Sequence, residues 1–414
     1  MNPSYDWLVG IDWATRTHQI CVLTPAGDVV EEKAVDHSAS AVHGFLDTLL
    51  RRTGGRADRI AVAIEIPRGA LVETLLERGL HVYTLNPKQV DRFRDRHSMA
   101  GAKDDRRDAY VLADALRTDL HKFRRVGLDH PLVIQIRELS RADEDLREEM
   151  NRLTNRLREQ LHRCAPHLLM LSASADEPWF WELVERVATR PSARLSLAQA
   201  EKLLRRHRIR RIRAEDIRRT LHEERFPIAA GAIEAARSHI ALLLPRLRIA
   251  HEQRKHCAQQ LQTLLDQYAA EDEEEHGGGP SDVALLLSLP GVGPIVAATL
   301  LAEAAALLAA PDASALRALA GLAPVTKRSG KSLVVLMRYG CNARLRNAFY
   351  HWARTSTQRD EAARAYYAAL RARGHTHGRA LRSVADRWLR ILTAMLQART
   401  LYNPDRQRRV PAAA

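Results

Sequence analysis

Four acidic residues have the types and spacing to do chemistry. Asp12 closes the apolar run Trp7-Leu8-Val9-Gly10-Ile11, and Glu65 lies near the end of another, Ile60 to Ile66. Such runs read as buried strands, so both acids stand at strand ends, where side chains can converge on one edge of a sheet. Asp105 and Asp108 are three apart in a predicted helix and project from one face. Asp104 is rotated about 100° from Asp105 in that helix and points elsewhere. Carboxylates from three elements can hold Mg²⁺ or Mn²⁺, hard cations that prefer oxygen ligands. Two such ions about 4 Å apart would stabilise both the attacking and the leaving oxygen of a phosphodiester. Taken singly, each acid is more simply a surface charge or a helix cap. The apolar neighbours of Asp12 and Glu65 weigh against that, because an unpaired charge among them is costly.

A second set lies in the last third of the chain. Ser329 stands between Lys327-Arg328 and Gly330-Lys331. A hydroxyl flanked by cations can meet a phosphate, and the cations stabilise charge developing on the phosphorus oxygens. In isolation Ser-Gly is usually a turn, and Ser332 is the nearest rival nucleophile. Upstream, Ser288-Leu289-Pro290-Gly291-Val292-Gly293-Pro294 precedes an Ala-rich helix. There Gly291 and Gly293 either bring backbone N–H groups to a phosphate, as in a helix-hairpin-helix element, or make a tight interhelical turn. Arg338, Arg344 and Arg346 add cations downstream. A dense basic segment, Arg205, Arg206, Arg208, Arg210, Arg211, Arg213, Arg218 and Arg219, admits two readings. It binds phosphate, or it is a solvated helix face with Leu203, Leu204, Ile209, Ile212 and Ile217 turned inward. Trp179 and Trp181 could stack on bases or pack a short helix after Pro178. His375 and His377 read as polar loop residues.

The elements that must position these groups follow from periodicity. Strands are expected at Trp7–Asp12, His18–Leu23, Val29–Ala34, Ile60–Ile66 and His81–Leu85, and helices at Ala41–Arg52, Ala70–Arg78 and Asp105–Leu116. A meander followed by alternating helices and strands implies an α/β domain with a mixed sheet over residues 1–125. From 126 to 275 the pattern becomes helical. Leu132, Ile136, Leu139, Leu146, Met150, Leu153 and Leu157 form a coiled-coil-like seam interrupted by Asp143. A second run carries Ile240, Leu247, Leu261 and Tyr268, and Pro245 is expected to kink or interrupt it. Glu271 to Pro280 reads as a linker, residues 276–402 as a compact helical domain, and 403–414 as a basic tail.

Lys and Arg outnumber Asp and Glu by 64 to 50, a net +14, which favours a polyanionic partner. Four scattered cysteines fit neither a zinc site nor a disulfide framework and suit a reducing cytoplasm. The most apolar stretch, Ile295 to Ala309, is short and contains Glu303, so no membrane span is expected.

Three acidic blocks carry a resemblance: Gly10-Ile11-Asp12-Trp13-Ala14, Ile64-Glu65-Ile66-Pro67-Arg68-Gly69 and Lys103-Asp104-Asp105-Arg106-Arg107-Asp108-Ala109. Together they resemble those of the DEDD insertion-sequence transposases, which include pilin-gene invertases and bridge-RNA-guided recombinases. Asp104 departs from the Thr or Ser usual after the lysine, and Asp105 is preferred as ligand because it pairs with Asp108. Gly321-Leu322-Ala323-Pro324, Ser329-Gly330 and Gly340-Cys341-Asn342 are similar to the family's serine-bearing domain. The match continues through Tyr366 or Tyr367, Ala380-Leu381 and Arg390-Ile391-Leu392.

The resemblance implies a ribonuclease-H-like (RuvC-like) N-terminal fold, a Mg²⁺ site at Asp12, Glu65, Asp105 and Asp108, and Ser329 as nucleophile. The serine would form a transient phosphoserine link to DNA and, by conserving the bond energy, require no ATP. It further implies donor and target DNA as partners, an element-encoded bridge RNA as guide, and a bacterial cytosolic setting. Dimers or tetramers are expected, in which one protomer's serine completes another's acidic site, with the coiled-coil segment as a means of pairing. Two other functions stay open on the residues alone: a metal-dependent junction-resolving nuclease without a covalent intermediate, and a non-enzymatic Arg-rich nucleic-acid scaffold.

Overall fold

A computed structural model describes residues 4–97, 104–127, 130–188, 195–223, 227–330 and 332–405. It divides into two compact units, Met1–Asp129 and His130–Ala414.

The first unit is built on β1 (Trp7–Asp12), β2 (Thr17–Leu23), β3 (Val29–Asp36), α1 (Ala39–Arg52), β4 (Ile60–Ile64), α2 (Ala70–Glu77), β5 (His81–Thr84), α3 (Pro87–His97), α4 (Asp105–Asp119) and β6 (Arg124–Val126). The sheet order is β3-β2-β1-β4-β5-β6. The strand pairs β1–β2, β2–β3 and β5–β6 are antiparallel, whereas β1–β4 and β4–β5 are parallel. This mixed sheet with flanking helices is compatible with a ribonuclease-H-like fold. Alternation along the strands assigns the two faces. Val9, Ile11, Val62 and Ile64 pack with Phe45 and Leu46 of α1 and Leu71 and Leu75 of α2. Leu8, Ala61 and Ala63 pack with Val90 of α3 and with Ala109, Leu112 and Ala113 of α4. The expected strand Ile60–Ile66 stops at Ile64, so Glu65 lies just beyond it. Neither α3 nor β6 is apparent from periodicity. The first is charged along most of its length, and the second is three residues long.

The second unit opens with α5 (Pro131–Cys164), α6 (Pro178–Ala188), α7 (Leu197–Arg206), α8 (Ala214–His222) and α9 (Ala230–Glu275). It continues with α10 (Asp282–Leu287), α11 (Pro294–Ala309), α12 (Ala313–Leu319), the hairpin β7 (Val325–Ser329) and β8 (Ser332–Leu336), α13 (Ala343–Arg359), α14 (Glu361–Ala372) and α15 (His377–Ala398). Helices α5 and α9 form an antiparallel pair. Asp143 accepts from Arg254 at 3.1 Å and Glu149 faces Arg246 at 3.6 Å, while His130 meets Glu271 at 3.1 Å. The seam on α5 is therefore covered by α9 of the same chain, and its buried residues are not free to pair protomers. The helix also runs on through Pro245 instead of breaking there, since packing on both sides offsets the lost backbone hydrogen bond.

Two apolar cores hold this unit. One joins α6, α7 and α8 to the adjoining parts of α5 and α9, with Leu157, Trp179, Trp181, Leu203 and Leu247 inside. The other joins Ile136, Cys257, Leu261 and Leu265 to Leu300, Phe349, Trp352 and Trp388. The acidic stretch expected as a linker is instead the end of α9. Asp272 is buried there, accepts from the Asp282 N–H at 2.6 Å, and faces Arg399 at 3.6 Å. The β7–β8 hairpin also interrupts what the pattern predicts as an all-helical region. Its side chains are largely exposed, so neither strand carries the alternation that burying one face would impose. Among the described residues no helix is long and apolar enough to cross a membrane.

Candidate functional site

Asp12 is the last residue of β1, and the parallel register pairs Ile11 with Ile64, so Glu65 follows in step on the neighbouring strand. Alternation puts Asp12 in the row of Leu8 and Gly10, and Glu65 in the row of Ala61 and Ala63. Both rows face α4. That helix lies hard on β1 because Gly10 has no side chain. A Cβ there would fall on the Ala109 carbonyl and 2.6 Å from the Ala113 nitrogen. Helix α4 also runs antiparallel to β1. Arg117, near its C-terminus, lies against Gly27, which follows the end of β2 paired with the start of β1. The first turn of α4, with Asp105 and Asp108, thus stands at the sheet edge that carries Asp12 and Glu65.

The four carboxylates are not equivalent. Asp108 is 3% exposed, and its Oδ1 accepts from Arg94 Nε of α3 at 2.7 Å. Arg94 also donates to Asp91 at 2.9 Å. Burial opposes the charge on Arg94, but Asp108 and Asp91 outweigh it and hold the guanidinium above its ordinary pKa. Asp105 is exposed, and Asp104 is the N-cap of α4, its Oδ1 accepting from the Arg106 N–H at 3.2 Å. The capping role occupies Asp104 and leaves Asp105 as the projecting carboxylate. Lys103 lies outside the described residues. His18, fully buried, steadies the loop after Asp12. Its Nδ1 accepts from the Ala14 N–H at 3.3 Å, so Nε2 carries the proton and donates to His37 Nδ1 at 2.8 Å. Burial, and then the nearby His37, lower its pKa and keep it neutral.

The donor set is right in kind for a hard divalent cation, being all carboxylate oxygen at one sheet edge. Among the described residues, however, no three His, Cys, Asp or Glu side chains stand close enough together to hold a metal. Arg94, not a further acid, meets Asp108. Sequence reasoning missed Arg94 because charged residues alternate all along α3 and none is marked out by spacing. Gly10 did carry a signal, since a glycine inside a buried strand marks a close backbone approach.

Ser329 ends β7 opposite Ser332, with Gly330 at φ +54 in the turn between them. It is exposed, as are Lys327 and Arg328, which meet no carboxylate among the described residues. Lys331 lies outside them. A cavity of about 610 Å³ is lined by Lys327, Arg328, Ser329 and Ser332 with Val334 and Leu336.

The other cations divide. Arg338 donates to the Ala323 carbonyl at 3.2 Å, Arg344 to Glu144 at 2.7 Å, and Arg346 contacts Cys341 Sγ at 3.8 Å, so each serves an internal tie. Gly291, at φ +87, abuts α13, where a Cβ would come 2.7 Å from the Ser356 nitrogen; Gly293 is open. The freedom of Gly291 therefore serves packing. Trp179 and Trp181 are at most 1% exposed, and Trp181 donates to the Ala175 carbonyl at 2.8 Å, so neither can stack on a base. His377 opens α15 with Tyr367 Oη 2.8 Å from its Nδ1. Arg205, Arg206, Arg208, Arg210, Arg211 and Arg213 are exposed on α7 and the turn after it.

Comparison with known proteins gives these sites a context. A family model described as "Transposase" matches residues 9–166, and one described as "Transposase IS116/IS110/IS902 family" matches residues 283–368. A candidate transposase of Sinorhizobium fredii is 47% identical over 207 residues, covering 50% of this chain and 58% of that protein. The candidate mini-circle transposase for IS117 of Streptomyces coelicolor is 32% identical over 96% of this chain and 95% of its own length. The insertion element IS110 43.6 kDa protein of the same organism is 31% identical over 98% of this chain and 96% of its own length. One model spans the acidic sheet edge, the other spans the Ser329 hairpin, and near-full-length relatives join them in the same order. The chain accordingly belongs to the IS116/IS110/IS902 transposase family and is a DNA-cleaving and rejoining enzyme.

Proposed function

We propose that the chain is a site-specific DNA recombinase whose acidic sheet edge and Ser329 act on the same phosphodiester. One observation supports this reading: the ends of β1 and β4 and the first turn of α4, packed on β1 at Gly10, turn Asp12, Glu65, Asp105 and Asp108 towards one end of the sheet, where a bound cation would have to draw them closer together. Asp12, Glu65, Asp105 and Asp108 would hold Mg²⁺ or Mn²⁺, which when bound stabilises charge on the oxygens of the scissile phosphate. The Ser329 Oγ attacks phosphorus, the DNA hydroxyl departs, and the protein–DNA phosphoester retains the energy needed to rejoin. Lys327 and Arg328 draw the phosphate towards that hydroxyl. A bridge RNA pairing with donor and target DNA would choose the sites, in the bacterial cytosol. A dimer or tetramer would let one protomer's serine complete another's acids.

The test is a strand-exchange assay with covalent-adduct trapping. Ser329→Ala removes the adduct and lowers exchange by about 10³-fold or more, whereas Ser332→Ala retains both. Asp12→Asn lowers exchange by about 10²-fold or more. Full cleavage by Ser329→Ala would instead indicate hydrolysis by metal and water, as in a junction-resolving nuclease. Full activity of Asp12→Asn would remove the acidic site from the chemistry.

A further inference from the structure

The basic segment around α7 is used by no step of that reaction, and its arginines other than Arg218, which is exposed on α8, fall into two groups. Arg206, Arg211 and Arg219 are neutralised within the chain. Arg206 pairs with Glu182 at 2.8 Å, Arg219 with Asp216 at 2.6 Å, and Arg211 with Glu177 while lying over Trp179. Two of these pairs fasten α7 and its following turn to α6 and its N-terminus. The side chains of Arg205, Arg208, Arg210 and Arg213 are exposed and meet no carboxylate among the described residues. These four line one cavity of about 410 Å³, whose lining includes a single acid, Glu201. So many guanidinium groups around a small volume repel one another unless something external neutralises them.

Two backbone features sharpen the point. Helix α7 ends in a Schellman turn, in which the Arg208 N–H bonds the Arg205 carbonyl at 3.1 Å and the Ile209 N–H bonds the Leu204 carbonyl at 2.9 Å. The turn holds Arg208 at φ +54, a conformation in which glycine is the unstrained choice. An arginine kept there points to use of its side chain. Arg213 is the N-cap of α8, where Ser, Thr, Asp or Asn would supply an acceptor, and it supplies none. Ala214, the first residue of α8, lines the same cavity, so the positive end of that helix adds to the field. Of the acids in that first turn, Asp216 is occupied by Arg219 and by the Arg213 N–H at 3.0 Å, and Glu215 is exposed to solvent.

We propose that this rim is a second nucleic-acid site, which takes the sugar–phosphate backbone through Arg205, Arg208, Arg210 and Arg213. It rests on the nucleic-acid reading above and extends it to a remote grip. Ile136 belongs to the core beneath the C-terminal helices and Leu157 to the core beneath the rim. At 1.5 Å per residue they lie roughly 30 Å apart along α5. An arm of that length spans about one turn of duplex. Phosphate contacts of this kind fix register without reading sequence.

The experiment is equilibrium binding by full-length protein in EDTA, over a salt series, to a duplex DNA several turns long and separately to a hairpin RNA, both of arbitrary sequence. With Arg205, Arg208, Arg210 and Arg213 all changed to Gln, the slope of log K against log salt falls by about 2–4. That follows from roughly 0.9 per duplex phosphate and 0.7 per single-strand phosphate lost. The probe that registers the fall identifies the polymer. Arg208→Gly separates grip from folding, because the melting temperature holds or rises while binding weakens several-fold. If Arg208 were only a turn residue, affinity would stay. Unchanged slopes on both probes, or full affinity in Arg208→Gly, overturn the proposal. Such a result leaves the Ser329 and Asp12 outcomes standing, since those are read on strand exchange.

Discussion

Asp108 illustrates at residue scale how the site tolerates its own charge. A carboxylate 3% exposed needs a partner, and the partner in place is Arg94, whose side chain is 20% exposed. Arg94→Ala leaves that carboxylate uncompensated and is expected to cost about 3 kcal/mol, read as a lowered urea midpoint. Added Mg²⁺ should recover more stability in Arg94→Ala than in the wild type, because a divalent cation replaces the lost guanidinium. An Asp108→Asn background should abolish that difference. Equal Mg²⁺ effects in the three proteins would remove Asp108 from the set of ligands.

At the scale of elements, the site depends on how closely α4 lies on β1. Gly10, Ala61 and Ala63 keep that sheet face flat, and a methyl at Gly10 would strike the α4 backbone. Gly10→Ala should destabilise by about 3 kcal/mol or more, since backbone cannot step aside as a side chain can. Its effect on strand exchange should exceed that of the equally small Gly44→Ala, because a Cβ at Gly44 meets nothing within 4 Å. Equal effects of the two on stability would show that α4 does not depend on that approach. The α5–α9 pair makes a related point. Asp143, which breaks the apolar row, is buried against Arg254 across the pair, so the interruption is matched from the other helix. The row itself was legible, but its partner was not.

The whole molecule separates where its cores do. Both apolar clusters of the first unit draw on residues between Tyr5 and Val126, and residues 1–129 expressed alone should melt cooperatively. The second unit should not divide at the Gly-rich stretch after Glu275. Ile136, Cys257, Leu261 and Leu265 belong to the core of the C-terminal helices, and Arg344 ties α13 to Glu144 of α5. Residues 276–414 alone should therefore lack a cooperative transition, whereas 130–414 should keep one. Circular dichroism on the three fragments checks this, and a cooperative melt of 276–414 would refute it.

Much was fixed by local pattern. Strand-end acids, their i, i+3 partners and the helical middle all arise from spacings of two, three and four, which short-range sterics impose on any chain. The cations and glycine beside Ser329 by themselves read as a turn, which is where the hairpin puts it, and its role as nucleophile is implied only by the family resemblance. The tertiary structure decided what depends on approach between distant segments. It gave Asp108 its cation from a helix with no distinctive pattern, and covered the α5 seam with the chain's own α9. It turned the acidic linker into the end of a helix and buried both tryptophans. It also sorted the arginines into those that hold α7 in place and those that face outward. Sequence records each charge, but only the fold brings each one its neighbour, because ion pairs form through space between residues that chain spacing does not relate.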